Sequence, residues 1–186
     1  MAACEALVAG GVTALEITMT TPNALACISE AARRFASQAV TGAGSVTTPE
    51  MCRAAIEAGA GFVVTPIMRP EIVPVARAAG CPVALGALTP TEAQLAHEAG
   101  ADFVKIFPAN GPAFIKAILG PLPHLKIIPT GGVTLKTAPE FLAAGCVALG
   151  VGSSLVSPKI LREQNWAELT RLAAEYVAVI RHFRKT

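Results

Sequence analysis

One phrase recurs along this chain: an alanine-rich apolar stretch closes on Ala-Gly, and a run rich in strand-forming residues follows at once. It stands at Val8-Ala9-Gly10, Glu57-Ala58-Gly59, Ala78-Ala79-Gly80, Glu98-Ala99-Gly100 and Ala143-Ala144-Gly145. Glycine in that place stops a helix in the left-handed conformation before the chain turns into a strand. The step from Gly59 to Gly80 to Gly100 is about twenty residues, the length of one βα unit, and such units in series build a (β/α)8 barrel.

Composition agrees with buried parallel strands. Of 186 residues 53% are hydrophobic, only 15% are charged and 5% are aromatic, so the core has to be made of Ala, Val, Ile and Leu. That is the diet of strands covered on both faces by helices. A net charge of +2 is too small to recruit nucleic acid or an anionic membrane. Each apolar run is broken by Gly, Pro or a charge before it reaches membrane-spanning length. No basic segment followed by an apolar one opens the sequence, so a cytoplasmic location is expected. Cys4, Cys27, Cys52, Cys81 and Cys146 are far apart and read as buried thiols. The three histidines stand in no metal-ligand spacing, and no metal is expected.

The pattern predicts helices over 2–9, 21–35, 48–59, 70–79, 89–99, 112–119, 135–144 and 166–184. Strands are predicted over 13–18, 39–42, 62–65, 83–86, 103–107, 126–129 and 147–150. Pro22, Pro49 and Pro90 fall in predicted first turns, and Thr89 with Glu92 has the spacing of a capping box. Seven strands and a leading helix imply a single α/β domain over 1–186: a (β/α)8 TIM barrel lacking its first strand in the sequence given. An unpaired parallel edge is a liability, so a strand ahead of Ala2 is expected to close the barrel.

Two charges interrupt apolar strands. Lys105 stands in Phe103-Val104-Lys105-Ile106-Phe107, where period-2 alternation puts it on one face with Phe103 and Phe107. Taking an ammonium group out of water favours its neutral form, and only the neutral amine is a nucleophile. Two roles fit: a Schiff-base lysine, or a rim lysine paired with a carboxylate or a ligand phosphate. Glu16, in Thr13-Ala14-Leu15-Glu16-Ile17-Thr18, shares a face with Ala14 and Thr18 and is the natural partner of an interior lysine. It reads either as a structural ion pair or as a base at the carbon beside an iminium. The turns Pro129-Thr130-Gly131-Gly132 and Gly150-Val151-Gly152-Ser153-Ser154 follow the last two predicted strands, where such barrels hold phosphate on backbone N–H groups. The turn Thr41-Gly42-Ala43-Gly44-Ser45-Val46 is made of small residues that leave a barrel mouth open.

Taken in order, L-E-I-T at Glu16, T-G-A-G-S-V, V-T-P at Val64 to Pro66, T-P-T-E at Thr89 to Glu92, V-K-I-F-P at Val104 to Pro108, P-T-G-G and G-V-G-S resemble the KDPG/KHG aldolase family. The likeness spans nearly the whole chain. It implies a class I aldolase that cleaves 2-keto-3-deoxy-6-phosphogluconate to pyruvate and glyceraldehyde 3-phosphate. Within the family, 4-hydroxy-2-oxoglutarate or 2-keto-3-deoxy-6-phosphogalactonate are the alternative substrates.

By resemblance, Lys105 forms the imine with pyruvate and Glu16 is the acid/base. Ser45, where the family usually has Thr, and Pro66 lie at the pyruvate site. Thr130, Gly131, Gly132, Gly152 and Ser153 match the phosphate region. Thr20 stands where many members carry an Arg that contacts the substrate carboxylate. The resemblance also implies small-molecule substrates, no cofactor and a homotrimer. A phosphate-binding isomerase or epimerase, in which Lys105 is only electrostatic, and a catalytically silent assembly partner are the readings from other classes.

Overall fold

The computed structural model describes residues 1–183. In chain order the elements are α1 (Ala2–Ala9), β1 (Ala14–Thr18), α2 (Ala24–Phe35), β2 (Val40–Gly44), α3 (Pro49–Glu57), β3 (Val63–Val64), α4 (Ile72–Ala78) and β4 (Val83–Ala87). They continue with α5 (Pro90–Glu98), β5 (Phe103–Ile106), α6 (Pro112–Leu119), β6 (Ile127–Pro129), α7 (Ala138–Ala143), α8 (Pro158–Glu163) and α9 (Trp166–Phe183). The fold is α/β, on a six-stranded sheet whose order β1-β2-β3-β4-β5-β6 is the order of the sequence. The chain divides into two compact units, one of residues 13–105 and one of residues 1–12 with 106–186.

In the unit of residues 13–105, β1 to β4 run parallel. Ala14 stands opposite Val40, Glu16 opposite Gly42 and Thr18 opposite Gly44, with Ala43 opposite Val63 and Val63 opposite Val83 further along. Leu15 and Ile17 are buried on one face of β1, and α2 packs over β1 and β2. Its buried stripe of Ala24, Ile28, Ala31 and Phe35 has the helical spacing that a sheet-covering helix needs. Every residue of β4 is buried, the signature of a parallel strand covered on both faces.

In the other unit α9 is the central helix, touching α1, α7 and α8. Leu169, Ala173 and Tyr176 form its buried face. The Thr170 hydroxyl donates to the Ala6 carbonyl at 3.0 Å, tying α9 to α1. A Cβ built on Gly10 would lie 2.5 Å from Ala173 Cβ and 2.7 Å from the Thr170 carbonyl, so the residue after α1 has to be glycine for this approach. The last residue of β5, Ile106, belongs to this unit, and its carbonyl accepts from Thr130 N–H at 2.9 Å.

The structure departs from the predicted elements at four places. Residues 147–150 do not form a seventh strand: Val147 and Gly150 donate to the Ile127 and Pro129 carbonyls, but the pairing shrinks to one bridge, Thr130 with Gly150. The segment is short and ends on glycine, which weakens a strand. Helix α2 begins at Ala24 rather than in the Thr21-Pro22 turn, because Asn23 adopts a left-handed conformation (φ 55°) that no helix continues through. Helix α7 starts at Ala138, three residues later than predicted, after a turn in which Thr134 and Thr137 bond each other. Helix α8, capped by Ser157 on Ile160 N–H, was not foreseen. Arg184, the predicted end of the last helix, lies outside the described residues.

Candidate active site

Lys105 is the next-to-last residue of β5, flanked by Val104 at 2% exposure and Ile106 at 0%, and is itself only 8% exposed. Burial on both faces of the strand keeps its ammonium group in a confined neighbourhood. The Glu16 carboxylate is in it: Oε1 lies 3.8 Å from Nζ, with the Glu16 side chain 32% exposed. That separation is an ion pair at the long end of the range, close enough for a proton to pass through one water. Phe107, expected beside Lys105, is 46% exposed and turns instead toward Gly131, where an added Cβ would lie 3.1 Å from its ring. The chain has left β5 by then, so alternation no longer governs it.

The carboxylate has its place because β2 is bare beneath it. A Cβ on Gly44 would fall 2.6 Å from Glu16 Cδ and 2.8 Å from Cγ. Ser45 follows immediately, half-buried and left-handed (φ 57°), so its side chain leaves the path of the strand. Pro66 follows β3 in a turn held by Thr65, whose buried hydroxyl accepts from Gly86 N–H at 2.9 Å and donates to the Ile67 carbonyl at 2.6 Å. Gly86 has to lack a side chain here, since a Cβ would fall 2.6 Å from the Pro66 carbonyl oxygen. Thr20 is exposed beyond β1, its hydroxyl 2.9 Å from that of Thr18, which is also 3.3 Å from that of Thr21. Three hydroxyls therefore stand together at the end of β1.

In the unit of residues 1–12 and 106–186 the two glycine turns meet. Thr130 bridges Gly150, and a Cβ on Gly150 would fall 3.1 Å from Thr130 Cβ. Gly131 and Gly132 both have positive φ, 79° and 78°, a backbone path that glycine adopts without strain. Open space faces Gly132 and Gly152. Ser153 is exposed. Ser154 is committed to the protein: it donates to the Val133 carbonyl and its oxygen lies 3.2 Å from that of Tyr176.

Glu16 and Lys105 are thus brought together as the sequence suggested. Gly44, Thr65 and Gly86 were missed, because a strand glycine or threonine carries no signal of which side chain it makes room for or holds. Among the described residues no group of three or more His, Cys, Asp or Glu could hold a metal ion. No helix among them is long and apolar enough to cross a membrane.

Comparison with known proteins places these features in context. The family model described as KDPG and KHG aldolase matches residues 1–172. The 2-dehydro-3-deoxy-phosphogluconate aldolase of Pseudomonas aeruginosa is 37% identical over 177 residues, which cover 92% of this chain and 79% of that protein. A solved structure described as native KDPGal superposes with a TM-score of 0.91 at 32% identity, covering 100% of this chain and 89% of that one. The KDPG aldolase of Legionella pneumophila, solved with pyruvate captured as a covalent carbinolamine, gives 0.85 at 31% identity over 93% of this chain and 85% of its own.

Proposed function

The chain belongs to the KDPG and KHG aldolase family, and from that membership we propose that it is a class I aldolase cleaving 2-keto-3-deoxy-6-phosphogluconate, with Lys105 as the imine-forming amine and Glu16 as its acid/base. The observation that carries the reading is the buried Lys105 amine with the Glu16 carboxylate 3.8 Å away. A carboxylate at that distance can take a proton from the amine and return it elsewhere without either group leaving its strand.

The neutral Lys105 amine attacks the C2 carbonyl and a carbinolamine forms. Glu16 protonates its hydroxyl, which leaves as water, and the cationic imine remains. Glu16, now a carboxylate, removes the C4 hydroxyl proton. The C3–C4 bond breaks, its electron pair moves into the iminium, and glyceraldehyde 3-phosphate departs. Protonation of the enamine at C3 and hydrolysis release pyruvate and restore the amine. The iminium is the electron sink throughout, so the reading calls on no metal or organic cofactor.

Ser45, Pro66 and Thr20 take the pyruvate end of the substrate in this reading. Hydroxyls at Thr20 and its neighbours replace a cation for the carboxylate. The N–H groups of Gly131, Gly132 and Gly152, with Thr130 and Ser153, take the phosphate, and this favours a phosphorylated substrate over 4-hydroxy-2-oxoglutarate. The same reading has the chain act as one cytoplasmic barrel domain of the (β/α)8 type, assembled as a homotrimer.

Borohydride reduction in the presence of pyruvate tests it. A stable adduct on Lys105, absent in Lys105→Ala, is expected; an unmodified wild-type lysine would exclude the aldolase and favour an isomerase or epimerase. Coupled assays with the 6-phosphogluconate-derived, the 6-phosphogalactonate-derived and the unphosphorylated keto acids then rank the substrates, the first being expected to turn over fastest.

A further inference from the structure

Two glycines of β2, Gly42 and Gly44, face the same side of the sheet as Glu16, and each is filled by a different side chain. Opposite the Glu16 backbone stands Gly42, but the space above Gly42 is taken by the Phe62 ring, with which an added Cβ would overlap. The carboxylate lies instead over Gly44, two residues further toward the C-terminal end of the strands, the partner of Thr18 rather than of Glu16. It reaches diagonally forward, and that forward reach puts Oε1 within 3.8 Å of Lys105 Nζ.

We infer that Gly44 is a positioning residue for the proton-transfer carboxylate: its missing side chain is the seat of Glu16, and Phe62 over Gly42 closes the alternative. The inference rests on Glu16 acting as the acid/base. Gly44 has no left-handed φ, so alanine is conformationally allowed there. The atoms an alanine would strike are the far end of a flexible side chain, not backbone. Gly44→Ala therefore leaves the strand in place and moves the carboxylate, and a displacement of an ångström or so is costly for an oriented proton transfer.

The test is a double-mutant cycle with Glu16→Gln, read as kcat and KM together with borohydride trapping of pyruvate. Gly44→Ala is expected to lower kcat on the order of a hundredfold, with KM changed less than about threefold and Lys105 still trapped. In the Glu16→Gln background the same alanine is expected to cost less than about twofold more, because the group it displaces no longer carries the proton. Full activity of Gly44→Ala, or losses that multiply, would overturn the inference while leaving Glu16 in its role. An unimpaired Glu16→Gln would instead remove the acid/base reading itself. Should Gly44→Ala fail to fold, Glu16→Ala/Gly44→Ala decides: recovery of the fold supports the seat, and a second failure refutes it.

Discussion

Ser45 has a backbone conformation that its side chain does not favour. A left-handed non-glycine residue costs about 1–2 kcal/mol, and it persists where the surroundings over-determine it. Here the surroundings are Val46, fully buried and bonded through its N–H to the Val64 carbonyl. Ser45→Gly should relieve the strain and raise folding stability by up to about 1 kcal/mol, measured as the urea midpoint. Loss of the hydroxyl should at the same time raise KM for the keto acid. A stabilised variant with unchanged KM would show that the serine touches no substrate. The contrast with Lys105 explains what a sequence can announce. A charge within an apolar strand has to find a partner, and Lys105 and Glu16 are legible for that reason. Gly44 and Gly86 act by what they lack, and the side chain or turn that uses the space comes from another strand.

Helix ends divide the same way. Thr89 and Glu92 close both halves of their capping box: Thr89 Oγ1 accepts from Glu92 N–H at 3.2 Å, and Glu92 Oε2 accepts from Leu88 N–H at 2.9 Å and Thr89 N–H at 2.8 Å. Those two N–H donors, then the Thr89 hydroxyl, hold the Glu92 carboxyl below its ordinary value. The folded chain therefore binds the proton less readily than the unfolded one. The contribution is complete above the unfolded value of about 4.3 and is lost as pH falls through the folded one. Thr89→Ala should cost about 1 kcal/mol at pH 7. Glu92→Gln should destabilise at pH 7 and cease to do so once the pH is below both values; a pH-independent cost in thermal unfolding would contradict the assignment. These caps were readable because the box is local, three residues apart. The start of α2 was not, because the proline signal of Thr21-Pro22 competes with the left-handed Asn23 that follows. Nor does a local pattern give the meeting of α1 with α9. Gly10→Ala tests that approach and should destabilise by about 1–3 kcal/mol, the usual cost of overpacking.

At the scale of the molecule, much of the alternation of helix and strand was legible from the repeated Ala-Gly phrase, which stands as a stop signal ahead of β1, β3, β4 and β5. Where that signal thins, after Gly145, the reading drifts: a strand was expected at residues 147–150, and α8 escaped because its six residues show too little periodicity. The cysteines test the whole. Cys4 and Cys27 are partly exposed, whereas Cys52, Cys81 and Cys146 are buried. Burial raises the Cys81 thiol to about 11, helped by nearby Cys52 and Asp102, and the Cys146 thiol to about 12. At pH 8 their thiolate fractions are on the order of one in a thousand or less, so iodoacetamide should leave both intact in the native protein. The folded thiols also hold their protons where unfolded ones, near 9.0, release them. Stability from this source is whole below about pH 9 and declines as pH rises toward 11 to 12. Cys81 belongs to the unit of residues 13–105 and Cys146 to the other. In a urea series at pH 8, followed by mass spectrometry of each peptide, both thiols should become reactive at one midpoint, as in a single cooperative domain. Separate midpoints would sink the one-domain reading and make each unit a folding unit of its own.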